Sequence, residues 1–105
     1  VKLNAIPIPK RGMLHGQVIE VSTDKGMGAM RSINGETQPD YNYLKVQPAT
    51  TGNPRPQTQV EQTYLHELVH LIFYHAGLIE LYKDEQTVDL IASLLHQFLA
   101  TAEYK

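Results

Sequence analysis

At 105 residues, 42% of them hydrophobic and 19% charged, the chain has the size of one compact domain with a real core and no room for two. Its formal net charge is −2 and it carries no basic run, which argues against nucleic acid or an anionic membrane surface as partner. It contains no cysteine, so disulfides, cysteine-ligated zinc and iron–sulfur centres are excluded, and any metal must be held by His, Asp or Glu.

No apolar run reaches membrane-spanning length, and the opening VKLNAIPIPK holds two prolines instead of a continuous apolar stretch. It does not resemble a signal peptide, and with the lack of cysteine it leads us to expect a cytoplasmic protein.

The first half predicts short strands between turn signals. Leu3–Ile8 is the first, with Pro7 and Pro9 favouring an edge or terminal place. Gln17–Ser22 is β-branched and bounded by Gly16 and by Asp24–Gly26. Tyr41–Gln47 has the aromatic and β-branched content of a third strand. The glycine-rich segment between them, with its Asn34-Gly35 turn signal, is predicted as a long hairpin connection. A loop with three prolines, PATTGNPRPQTQ, then separates strands from helices.

Beyond about Gln57 the apolar period changes. Val60 to Ala76 reads as one helix stopped by Gly77 as a C-terminal cap. A second helix runs from about Asp84, an N-cap, to about Thr101. The expected architecture over residues 1–105 is α+β: a short antiparallel sheet followed by two helices.

The first helix contains the stretch TYLHELVHLIFYH, in which His66, Glu67 and His70 interrupt an apolar run. An unpartnered buried carboxylate is costly. On a helical wheel His70 falls roughly 40° from His66, one turn along, which is the geometry two nitrogens need to reach one zinc ion. Glu67 stands roughly 100° away, beside the pair, placed to take a proton from metal-activated water. Leu65, Val69, Ile72 and Ala76 share a separate arc that can be buried. The plainer reading is a helix whose histidines hydrogen-bond within a core.

The second helix supplies Glu85 and, on the same face, Asp89 and the small Ala92. An antiparallel pair joined through 77–83 would return Glu85 to the middle of the first helix. It then completes a His, His, Glu set with one position left for water, as in catalytic zinc sites. Asp89, one turn deeper, suits the role of accepting the other ring N–H of a ligand histidine. The plainer reading is that Asp84, Glu85 and Asp89 merely favour a helix N-terminus.

His66-Glu67-x-x-His70 followed by Glu85-x-x-x-Asp89 resembles the gluzincin zinc metallopeptidases. The short sheet and short gap between motifs are similar to the minigluzincins and to ImmA/IrrE-type and phage-encoded H-E-x-x-H proteins. The likeness covers about the last half of the chain. It implies His66, His70 and Glu85 as zinc ligands, Glu67 as general base and acid, and Asp89 as the residue behind a ligand. The metzincin pattern fails, since it needs glycine at position 73 and histidine at 76, where Phe73 and Ala76 stand. Larger gluzincins add a Tyr or His that stabilises the oxyanion; Tyr82 is the candidate here, with Tyr74 behind it. His75 lies about 180° from His66 and is expected at the surface or facing a partner. His15 is a weaker candidate, and His96 lies about 16 Å beyond Glu85 along the helix axis, too far for the same ion.

The expected activity is therefore zinc-dependent hydrolysis of a protein or peptide, with Tyr41–Gln47 as an edge strand that could pair with it. The alternative is a zinc-stabilised interaction module that does not cleave, or stays latent under its own tail, Glu103-Tyr104-Lys105.

Overall fold

The computed structural model describes residues 3–23, 35–47, 49–50 and 53–104. Strands β1 (Arg11–Leu14) and β2 (Gln17–Thr23) form an antiparallel hairpin. Its two-residue turn is His15-Gly16, both with positive φ (50° and 75°), the turn whose twist matches that of the strands. The sequence did not predict β1, whose four residues begin Arg-Gly and lack β-branched content.

Strand β3 (Gly35–Gln38) leads through a 3-10 turn, Pro39–Tyr41, and left-handed Asn42 into β4 (Tyr43–Val46). The sheet order is β1-β2-β4-β3. Strands β3 and β4 pair antiparallel, but β2 and β4 pair parallel, Glu20 opposite Tyr43 and Thr23 opposite Val46. This overturns the expected hairpin between the second and third predicted strands. A parallel pair needs a crossover, and the segment between them contributes β3 instead of a plain connection; residues 24–34, including Asn34 of the turn signal, lie outside the described residues. The predicted third strand is also not an edge: β4 sits between two neighbours, and β3 is the edge beside the helices. A small ladder, β5 (Ala49–Thr50) with β6 (Asn53–Pro54), follows.

Leu3–Ile8 forms no strand either. Pro7 and Pro9 have no N–H to give a ladder. The segment is fastened instead by single bonds, Asn4 N–H to the Ala100 carbonyl at 2.7 Å and Ile6 N–H to the Glu61 carboxylate at 3.0 Å.

Helix α1 spans Gln57–His75. Beyond Ala76, Gly77 turns left-handed at φ 79°; its N–H reaches the Tyr74 carbonyl, and Leu78 N–H reaches that of Phe73. These are the paired bonds of a Schellman stop, at the predicted glycine. One turn, α2 (Ile79–Tyr82), leads to α3 (Glu85–Thr101). Asp84 caps α3 as expected, accepting from Thr87 N–H at 3.1 Å and from its hydroxyl at 2.8 Å.

The fold is thus α+β, a four-stranded sheet with the helices after it. Ile19, Leu44 and Val46 of the sheet meet Val60, Leu65, Val69 and Leu71 of α1, with Val88, Ala92 and Ala100 of α3. Helix α1 packs against both β3–β4 and α3, which is why buried positions surround much of it. Leu65 and Val69 are buried as the wheel predicted, but Ile72 and Ala76 are exposed, while Leu71, on another side of the helix, is fully buried. Among the described residues no helix is long and apolar enough to cross a membrane.

Candidate metal centre

The turn α2 and the Asp84 cap bring Glu85, first residue of α3, back over the middle of α1. His66 and His70 stand on successive turns there, ring centroids 4.9 Å apart. His66 Nε2 lies 3.0 Å from Glu85 Oε2, and His70 Nε2 lies 2.8 Å from Glu85 Oε1. Each ring is held from behind: His66 Nδ1 is 3.4 Å from Asp89 Oδ1, and His70 Nδ1 is 2.7 Å from the Tyr82 carbonyl oxygen. The Tyr82 main chain accepts, so His70 Nδ1 donates, and the same tautomer in His66 serves Asp89. Both Nε2 atoms then face the carboxylate.

Lone pairs of neutral imidazole and oxygens of a carboxylate are all acceptors. A metal ion placed among them would be bound by all three side chains. Among the described residues His66, His70 and Glu85 each offer a donor atom within 4.8 Å of the others, and the group could hold a metal ion. The histidine side chains are mostly buried, whereas those of Glu85 and Asp89 are about 70% and 74% exposed, leaving the carboxylate side open to solvent.

Glu67 sits beside this group and is nearly buried. Its Oε1 accepts a short hydrogen bond from the Thr37 hydroxyl of β3. Burial pushes its carboxyl above the ordinary range and the Glu85 carboxylate adds to this; the Thr37 bond and the neighbouring His66 and His70 rings oppose it without cancelling it. Strand β3 comes this close because residue 35 is glycine. A Cβ there would stand 2.6 Å from Thr63 Cγ2 and 3.0 Å from Glu67 Cγ.

A groove of about 620 Å3 opens along this face, lined by Gly35, Arg55, Thr63, His66, Glu67 and Asp89. Arg55, at the end of the proline-rich loop, donates to the Gln47 carbonyl at 2.6 Å and to Thr63 Oγ1 at 2.7 Å. It fixes that wall of the groove to α1.

Tyr82 packs edge-on against His70 and against Tyr74, centroids 5.5 Å apart in each case. Burial raises its hydroxyl pKa, and the negative charges of Asp40, Glu67 and Glu85 raise it further, so the proton stays on. The Tyr74 hydroxyl donates to Asp40 Oδ1 at 3.2 Å. His96 is not near the group: its Nε2 is 2.9 Å from Glu61 Oε1 inside the core. His15 belongs to the β-turn. His75 is half-buried at the surface and outside the group: it lines a shallow groove with His15 and Asp40, its Nε2 enclosed and its ring against Tyr74. Tyr104 lines a groove with Asn4, Leu68 and Leu99, on the side of α1 opposite His66, so the described part of the tail does not cover the centre; Lys105 lies outside the described residues.

The structure places His66, His70 and Glu85 within 4.8 Å of one another, with Asp89 against His66 and Glu67 beside the group. Sequence reasoning missed Thr37, Gly35 and the Tyr82 carbonyl. A glycine within a strand can mark close backbone approach, which was the one available signal; the other two depend on the fold. No family model, curated protein or solved structure matches the chain.

Proposed function

We propose that the protein is a zinc-dependent peptidase that hydrolyses an extended protein or peptide chain. The observation that carries this reading is the pair of tethered imidazoles aimed at the two oxygens of Glu85, with an unbonded flank toward solvent. Two nitrogens and one carboxylate are a donor set suited to zinc. Zinc, when bound, would acidify water toward neutrality and polarise the scissile carbonyl.

The chain's own residues supply the rest. His66, His70 and Glu85 bind the ion, while Asp89 and the Tyr82 carbonyl orient the rings. Glu67 accepts the proton of the attacking water and passes it to the leaving amine. Thr37 holds the Glu67 carboxylate at one oxygen, leaving the other for that transfer. Strand β3, the sheet edge nearest Glu67, replaces Tyr41–Gln47 as the strand along which substrate pairs. Tyr82 is the oxyanion donor of this scheme, since Tyr74 is engaged by Asp40.

A second reading, a zinc-stabilised module that binds a partner without cleaving it, is favoured by the Tyr82 ring being packed edge-on against both His70 and Tyr74. Elemental analysis together with digestion of a mixed peptide pool separates the two. The peptidase reading expects zinc near one equivalent and products from wild type but not from Glu67→Gln. Equal cleavage by both proteins refutes it, and zinc without cleavage supports the module.

A further inference from the structure

Helix α3 is apolar on both sides. Val88, Ala92 and Ala100 face the core. On the far side Leu90, Leu94 and Phe98 follow one another at intervals of four residues, 60%, 58% and 71% exposed, with Ile91 beside them. These are large side chains left in water. At such exposures the four present roughly 400 Å2 of contiguous apolar surface, well within the range of patches that mark interaction sites. The groove lined by Leu68, Leu95, Leu99 and Tyr104 adjoins this stripe, because Leu95 stands one turn before Phe98. Stripe and groove together come to roughly 500 Å2, below the ~800 Å2 per partner of a standard interface and in the range of a small, weak one.

We propose that this face binds a second copy of the chain, two α3 helices crossing antiparallel about a two-fold axis at Leu94. Three observations select this occupant. The stripe is symmetric about Leu94, so a two-fold operation puts Leu90 of one copy against Phe98 of the other and needs no second patch. Side chains spaced four apart are the ridges of the commonest helix–helix packing in globular proteins. The outer face carries no charge, its flanking residues being Gln86, Thr87, Ser93, Gln97 and Thr101, which gives neither an acidic peptide nor an anionic lipid surface a hold. Glu85 and Asp89 project from the opposite side of α3, so the pairing leaves the candidate metal centre open.

The chain lacks cysteine, which makes a single introduced thiol a clean probe. Sedimentation equilibrium of the zinc-loaded wild type is expected to give twice 11.8 kDa, and Leu94→Glu, folded by circular dichroism, the monomer mass with zinc content unchanged. Leu94→Cys treated with a short bis-maleimide is expected to cross-link to dimer, whereas Met13→Cys, exposed on β1, is not. A wild type that stays monomeric at its highest soluble concentration overturns the proposal, whatever else covers the face. So does a dimer in which Leu94→Cys links no better than Met13→Cys. This cross-linking comparison stands even if Leu94→Glu fails to fold.

Discussion

Glu61 and His96, 35 positions apart, meet in the core with 2.9 Å between Oε1 and Nε2. The other carboxylate oxygen accepts Ile6 N–H at 3.0 Å and the Gln57 amide at 3.1 Å. One buried carboxylate therefore joins α1, α3 and the N-terminal segment. Breaking such a pair leaves its partner uncompensated, at a cost of about 3–5 kcal/mol. Glu61→Ala should lower the urea midpoint accordingly, and a midpoint near wild type would show that the pair contributes little.

The same residue sets a pH dependence. Burial alone would raise the Glu61 carboxyl, but the bonds from Ile6, His96 and Gln57 outweigh it and hold the group below its ordinary 4.5. A lowered folded value stabilises the fold above the unfolded value, and that contribution is lost as pH falls through the folded one. Acid titration of wild type should therefore show stability declining below about pH 4.5, more steeply than in Glu61→Gln. Parallel acid profiles in the two proteins would contradict this.

Gly35 tests the close approach of β3 to α1. A methyl group at 2.6 Å from Thr63 Cγ2 must push strand or helix aside, and overpacking of this kind costs about 1–3 kcal/mol. Gly35→Ala should lower the melting temperature and also displace Glu67, cutting peptide hydrolysis while zinc content is kept. Full activity with normal stability would mean that the strand yields freely.

At the candidate centre the residues should separate by role. Glu67→Gln should retain zinc and lose at least about 10²-fold in kcat/KM, as expected when a general base is removed. Glu85→Ala should lose the ion as well. Asp89→Asn, which weakens the hold on His66 Nδ1, should loosen zinc by about 10–100-fold, measured by competition with a chelating dye. Unchanged affinity would remove Asp89 from the site.

Saturating zinc at a thousandfold excess over its Kd should add about 4.1 kcal/mol to stability through linkage. Thermal melts with and without chelator measure it. Equal melts would speak against a folded-state binding site.

The helical half of the fold was legible because its signals are local. Gly77 and Asp84 terminate and start helices through bonds to their immediate neighbours, and H-E-x-x-H with Glu85 and Asp89 needs only helical spacing and an antiparallel return. The sheet was not legible for the opposite reason. The pairing of β2 with β4 joins residues more than twenty positions apart, and β3 is four polar or glycine residues held between β4 and α1. Leu3–Ile8 looks like a strand by composition, yet it is placed by Glu61, a residue that attracted no notice in the sequence. Ile72 fell on the expected apolar arc but is exposed, because the wheel specifies an angle and not which neighbours arrive.

The Glu61–His96 latch has a further consequence for how the centre is loaded. Its Oε1–Nε2 contact joins α1 to α3 through the chain's own atoms and away from the candidate centre, so part of the alignment of these helices rests on no ion. If the proposed centre takes zinc, the ion meets two helices that are already partly held together, and its uptake resembles docking more than assembly. On that reading the ion would come and go without the two helices separating, and a protease would find no more opened chain in the ion-free protein than in the loaded one.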